Sequence, residues 1–435
     1  MSAATELNVI GPFGTTRQPA WLRLGSIPLA ACLGAFLGLL AWGEARTPAL
    51  ALLLPLLWIA MPSRMAVFAL TTAYHLAVIR FLPLFAGTWY ESTATGTLMW
   101  FLTCILCGMA WAVCWTPSRK TAVVLSRSLL AIVVTMVPPI GSILPGHPIV
   151  GMGYMAGGTS WFGVILFVVY FLGASWLIRV AAPSRLKQWS PHAVWGLLVV
   201  AAVVLGVRGA VPNPSAGKLA GPVGALESKW GPYPKRGSLE VMTRLGQISR
   251  ATLALSGGEG EVRTVVFAES SLGVYDPTMF PAVKRDILSK IEKTGQTVVV
   301  GVDLEQGPGR LSKVALVLRP DGTSSYAASR QPIPVVEWSP WGRPTYAMNW
   351  LANSTVNVGS GVNARVMFCY EEYIPALHLI SELQGDNHMV IAVANLWASN
   401  NPLTNFVQSA HTGGMARLFG RHWVRAVNFP KSPEK

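Results

Sequence analysis

Seven apolar runs fill the first half of the chain, at roughly 26–43, 47–62, 65–86, 96–115, 121–141, 158–178 and 191–209. Each is near the ~20 residues that a membrane-spanning helix needs, the second being short. Charge is correspondingly sparse there. Residues 1–211 carry 12 Lys/Arg and 3 Asp/Glu, against 22 and 17 in residues 212–435. The whole chain is 51% hydrophobic and only 12% charged, far below the roughly 25% charged of an ordinary soluble protein. The fold class expected is therefore an N-terminal polytopic α-helical membrane domain of about seven spans, followed by a water-soluble α/β domain. The boundaries are a polar segment 1–25, membrane helices 26–211, a Pro/Gly/Lys-rich linker 212–236 and the domain 237–435.

Charges between the runs alternate. Arg17 and Arg23, Arg64, Arg119 with Lys120, and Arg179, Arg185 and Lys187 fall on one side. The other side holds Arg46 balanced by Glu44, then Glu91. The positive-inside rule puts the N-terminus in the cytoplasm. Seven crossings carry the C-terminal domain to the far side, the periplasm if the membrane is a bacterial inner membrane. The net charge of +14 thus reads as membrane orientation. Without a basic stripe interleaved with aromatics, direct nucleic-acid binding is not expected. Gly34 and Gly38 suggest a close helix contact. Cys104 and Cys107 read as packing residues, so neither a metal nor a cofactor is expected. The connection through Pro138, Pro139, Pro145, His147, Pro148 and Gly151-Met152-Gly153-Tyr154 is apolar yet rich in Gly and Pro. A re-entrant loop, a lipid entry lip and a surface loop all fit it.

From residue 238 onward, helical and strand patterns alternate, as in a layered α/β domain. Helices are expected at 238–254, Pro281–Lys293, 373–384 and 404–419. Strands are expected at Val262–Glu269, Thr297–Asp303, Lys313–Arg319, Met389–Asn395 and 422–428, and one ends at Cys369. Chemistry-bearing side chains stand where three strands end: Glu269, Cys369 and Asn395. A thiol on a sharp strand-to-helix turn is presented outward, and a nearby carboxylate can take its proton. Cys369 has no second cysteine in its half of the chain.

These residues carry a resemblance. Val265-Val266-Phe267-Ala268-Glu269, Pro334-Val335-Val336-Glu337-Trp338, Cys369-Tyr370-Glu371 and Asn395-Leu396-Trp397 resemble the nitrilase (carbon–nitrogen hydrolase) superfamily. Lys229-Trp230, Met415-Ala416-Arg417 and the loop through Pro148 and Tyr154 extend the resemblance to apolipoprotein N-acyltransferases. In layout the chain is similar to the conjugal-transfer proteins of Ti-type plasmids, the TraB family. The resemblance implies an αββα domain and a Glu-Lys-Cys triad. Glu269 would be the base, Cys369 the nucleophile that forms a thioester, and Glu337 and Glu371 further carboxylates of the site. Trp230, Tyr370, Asn395 and Trp397 would lie on the substrate side. Counted back from Glu337, the Lys position falls on Ser329, so Arg330 beside it is the expected substitute. Ala268 stands where the family has Pro. The sequence stops ahead of the final strands and last membrane helix that the resemblance implies.

Two functions follow. One is a Cys-dependent N-acyltransferase in the inner membrane, moving an acyl group from a phospholipid to an amine, such as a lipoprotein N-terminus. The other is an envelope protein that assists the conjugation apparatus with a drifted, inactive triad. A channel fits less well, because few charges lie within the apolar runs.

Overall fold

The computed structural model describes residues 20–181, 219–220, 222–256, 262–338, 345–385, 387–399 and 401–431. The seventh apolar run, the polar segment 1–19 and much of the expected linker lie outside them.

The first half is helical: α1 (Ala20–Trp42), α2 (Leu53–Ala60), α3 (Arg64–Val78), α4 (Leu82–Trp89), α5 (Thr93–Cys114), α6 (Thr121–Met136), α7 (Ile149–Met155) and α8 (Trp161–Trp176). Ser63 and Ser92 start α3 and α5 as N-caps, their hydroxyls accepting from Ala66 and Thr95 backbone N–H groups. The expectation of seven spans is met only in part by the described residues. Among the described residues two helices are long and apolar enough to cross, Thr93–Cys114 and Trp161–Ala181. The run 65–86 is not one straight helix. It breaks into α3 and α4, bent by 62°. Pro83 in the first turn of α4 has no N–H to continue the ladder, and Arg80 turns back to the Ala77 carbonyl. Counting α3 with α4 as one span brings the number to three. Gly34 and Gly38 do mark a close contact: a Cβ at either would fall within 2.6 Å of a backbone oxygen of α3.

The second half contains two sheets. Its strands are β1 (Leu219–Ala220), β2 (Val223–Ala225), β3 (Glu227–Ser228), β4 (Thr264–Val266), β5 (Val274–Tyr275), β6 (Thr297–Gly307), β7 (Arg310–Leu318), β8 (Ser324–Ala328), β9 (Thr355–Asn357), β10 (Asn363–Phe368), β11 (Met389–Asn395) and β12 (His422–Asn428). One sheet runs β1-β2-β4-β6-β7-β8, with β5 also paired to β6; the other runs β3-β12-β11-β10-β9. Val266, Val299 and Ala315 of the first pack against Val366, Ile391 and Val424 of the second. The outer face of the first sheet is covered by α9 (Leu239–Ala254), α10 (Phe280–Val283) and α11 (Ser289–Thr294). The outer face of the second carries α12 (Pro375–Leu383) and α13 (Pro402–Leu418). The result is an αββα sandwich. Residues expected only to link supply strands to both sheets: β2 pairs with β4 inside the edge strand β1, and β3 forms an edge on β12.

The Gly/Pro-rich connection leaves Pro138 and Pro139 exposed, but from Gly141 to Gly153 it is largely buried. It forms α7, which crosses α13 backbone to backbone. A Cβ on Gly153 would lie 1.7 Å from the Gly414 carbonyl oxygen. Around that crossing the His411 ring accepts from the Gly146 N–H at 2.8 Å, and Tyr154 donates to the Ala410 carbonyl at 2.7 Å. Tyr370 donates to the Ser142 carbonyl at 2.5 Å.

Candidate active site

Cys369 follows β10 directly and opens a short helical turn, Cys369–Tyr373. Its sulfur is buried, 3.9 Å from the Asn395 carbonyl at the end of β11. Asn395 joins two parts of the site: its amide donates to the Glu269 carbonyl and accepts from Asn428. Glu269 sits on a sharp turn three residues past β4. The turn approaches β6 so closely that a Cβ on Gly301 would meet the Ala268 carbonyl at 2.3 Å. Ser270 holds the bend in a left-handed conformation, φ 49°, and donates to Asp303 at 2.6 Å.

The cation of the site is Lys313, which sequence spacing did not single out. Its ammonium lies 2.9 Å from Glu269 and 2.5 Å from Glu337. It also lies over the Tyr346 and Tyr233 rings at 5.2 and 5.9 Å. The expectation for Arg330 is therefore corrected. Its guanidinium donates to the Leu377 carbonyl and to Ser381 of α12, at 3.2 and 2.8 Å, and touches Met367. It is sealed behind the second sheet, and Glu371 is the acid nearest to it, at 3.9 Å. Counting back from Glu337 misleads because the intervening loop is free to vary in length. One signal was available: on β7, Lys313 shares a face with the core residues Ala315 and Val317, and a charge there needs a buried partner.

Electrostatics follow from burial. It pushes the Glu269 carboxyl up to about 7, against the pull of Lys313. Burial alone would lower Lys313, but Glu269 and Glu337 raise it well above its ordinary range, so it stays an ammonium. Burial, then Glu269, pushes the Cys369 thiol up to about 12, with Lys313 opposing. The arrangement is a thiol, a carboxylate able to exchange a proton near neutrality and a fixed cation.

The other expected residues divide. Glu337 closes its own loop by accepting from the Ile333 N–H at 3.0 Å while holding Lys313. Glu371 works differently: its carboxylate accepts from Ser329, the Arg330 and Gln331 N–H groups and the Phe368 N–H. It ties the nucleophile turn to the loop after β8. Trp230 stacks on Phe267 on the outer side of the first sheet, so Tyr233 is the nearby aromatic that reaches Lys313. Tyr370 faces the helical half through Ser142. Trp397 packs against Trp89 of α4 at 5.4 Å, and Trp89 meets Tyr233 at 6.1 Å. Phe85 of α4 packs on the small apolar cluster that contains Cys369. The bend between α3 and α4 thus brings two aromatics of the helical half to the site.

Two curated relatives match over nearly all of the chain. A probable conjugal transfer protein TraB of Sinorhizobium fredii is 26% identical over 420 residues, covering 94% of this chain and 98% of its own. The conjugal transfer protein TraB of Agrobacterium fabrum is 27% identical over 421 residues, covering 92% and 93%. This chain is similar to the TraB conjugal transfer proteins. No family profile matches it. Among solved structures, it resembles a carbon–nitrogen hydrolase from Helicobacter pylori at 15% identity, covering 47% of this chain and 72% of that one, with a TM-score of 0.37. An amidase from Nesterenkonia sp. matches at 14%, covering 46% and 74%, with a TM-score of 0.35. The αββα architecture of the C-terminal half is set by its own two sheets and flanking helices.

Proposed function

We propose that this protein is a membrane-embedded, Cys-dependent acyl-transfer enzyme that serves conjugal plasmid transfer. The observation that carries the reading is Lys313, clamped between Glu269 and Glu337 beside the Cys369 turn. In this mechanism Glu269 takes the Sγ proton and the thiolate adds to an ester carbonyl. Lys313 faces the oxyanion, and the alcohol leaves with the proton as the thioester forms. An amine then attacks the thioester, Glu269 takes the amine proton, and the thiol is restored. A phospholipid is the donor suited to a site bordered by Phe85 and Trp89 of α4. A lipoprotein or another envelope amine is the acceptor class. The role in conjugation is carried over from the relatives' names. The inactive-triad reading rested on a missing Lys, and Lys313 removes that ground.

The proposed location is the inner membrane, with the N-terminus cytoplasmic and the α/β domain periplasmic, which requires an odd number of crossings. Reporter fusions at residues 90 and 431 that both report the cytoplasm would sink this topology.

Membranes holding the full chain, incubated with radiolabelled phospholipid, should yield a hydroxylamine-labile label on the wild type and none on Cys369→Ala. Equal labelling of the two would overturn the acyl-transfer reading. Label formation should also depend on pH. A base raised to about 7 is protonated below that pH and competent above it. The initial rate of labelling should therefore climb as pH rises from 6 to 8, with a midpoint near 7. A flat profile would remove Glu269 from the role of base.

A further inference from the structure

A second buried network also reaches the thiol, and the mechanism above does not use it. Gln408, on the buried face of α13, donates through Nε2 to the Cys369 carbonyl oxygen, and the same nitrogen lies 3.4 Å from Sγ. The other end of the amide is fixed, since Oε1 accepts from Arg425 Nη2 at 2.7 Å. A guanidinium only donates, so the amide oxygen must face Arg425 and its NH₂ must face Cys369. Arg425, on β12, is itself held. Its Nε donates to both Glu372 oxygens at 3.1 and 2.9 Å, and its Nη1 donates to Asn405. Thr412 completes the chain by donating to Glu372 at 2.8 Å. Three elements thus converge on one amide: the nucleophile turn, α13 and β12. Glu372, Gln408, Thr412 and Arg425 are all buried.

We infer that Gln408 is a catalytic residue whose amide N–H holds the Cys369 thiolate, with Arg425 and Glu372 as the positioning residues that aim it. This rests on the reading of Cys369 as the nucleophile. One N–H of the amide is taken by the Cys369 carbonyl, leaving the other for sulfur. A bond from a neutral donor strengthens when its acceptor becomes charged, so it favours thiolate over thiol. The groups around the sulfur make such a donor matter. Glu269, beyond β4, opposes the thiolate, as does burial itself. Lys313, on β7, favours it but is shared with Glu269 and Glu337. Tyr373 of the same turn is buried within electrostatic reach of Cys369, and Tyr233 faces Lys313. Arg425 is neutralised by Glu372, so it acts on the sulfur through the amide and not as a free cation.

The test is the pH profile of Cys369 alkylation by iodoacetamide in the full-length protein in detergent, read at that residue by peptide mass spectrometry. The thiolate carbon–sulfur bond forms as iodide leaves, so the rate follows the thiolate fraction. Gln408→Met keeps the length of the side chain and removes its N–H. It should move the profile up by about one pH unit, slowing alkylation at pH 8 on the order of tenfold, as expected for loss of a charge-assisted bond. Arg425→Lys keeps the charge opposite Glu372 but loses the fork that holds Gln408. It should shift the profile in the same direction by less. Profiles that superimpose on the wild type in both variants would overturn the inference. So would loss of fold in both, which would make the network purely structural. No acyl donor is present, so a wild type that never forms an acyl adduct would sink the acyl-transfer reading while this comparison still decides on Gln408.

Discussion

Replacing Lys313 with Met should slow thioester formation on Cys369 by at least on the order of 10²–10³, the usual cost of losing one oxyanion donor. A second loss adds to it. Lys313 is what holds the Glu269 carboxyl down to about 7 against burial. Without the ammonium, that carboxyl moves further up and is protonated at neutral pH. The variant should therefore be slow at pH 7 and recover partly at pH 9, where the base returns but the oxyanion donor does not. The two carboxylates also lose their buried partner. All three side chains are no more than 4% exposed, and breaking a buried pair costs about 3–5 kcal/mol. Arg330→Met is the matched control. Its guanidinium supports α12 and the Met367 side of the second sheet, so it should lower the melting temperature and leave labelling per folded molecule unchanged. Labelling rates and thermal melts of the two variants, measured side by side, decide the matter. If Arg330→Met lost labelling while Lys313→Met kept it, the cation of the site would be wrongly assigned.

That contrast also shows what the sequence could and could not convey. Long apolar strands were legible. β11 stands where a continuous run of Val, Ile and Ala predicts it, β12 where Trp, Val and Ala flank Arg425, and β10 ends just before Cys369. Glu269 and Asn395 were legible as strand-end polar groups because each follows an apolar run and so must be held near the core. Lys313 was not, because its meaning comes from two acids on other segments. A lone Lys at the start of an apolar strand looks like its solvated end until the sheet pairing turns it inward. Gln408 and Arg425 were hidden for the same reason, since a helix and a strand distant in sequence specify that pair. The short strands β2 and β3 were missed because two or three residues among Gly and Pro carry no periodicity. The break between α3 and α4 was present as Pro83 within an apolar run. Its consequence, the delivery of Phe85 and Trp89 to the site, needed the three-dimensional arrangement.

The contact between the two halves yields the other large effect. Gly153→Ala should destabilise the protein and separate α7 from α13. The new Cβ would meet the Gly414 carbonyl oxygen at 1.7 Å, and its next neighbours are also Gly414 backbone atoms. A flexible side chain could swing aside, but a helix backbone cannot, so the helices must move apart. Overpacking a core typically costs about 1–3 kcal/mol, and a clash against backbone belongs at or above the top of that range. The loss would not stay local. The Gly146–His411, Tyr154–Ala410 and Tyr370–Ser142 bonds all cross the same interface, and Tyr370 is the residue after the nucleophile. Displacing α7 thus removes the support of the Cys369 turn from its helical side, so labelling should fall together with stability. Gly173→Ala in α8 provides the comparison. Nothing lies within 4 Å of its added methyl, and Ala favours a helix over Gly by up to about 1 kcal/mol, so this variant should melt no lower than the wild type. Thermal melts in detergent together with protease resistance report the outcome. A Gly153→Ala protein as stable and as readily labelled as Gly173→Ala would mean that α7 and α13 do not meet backbone to backbone, and that the nucleophile turn stands without help from the helical half.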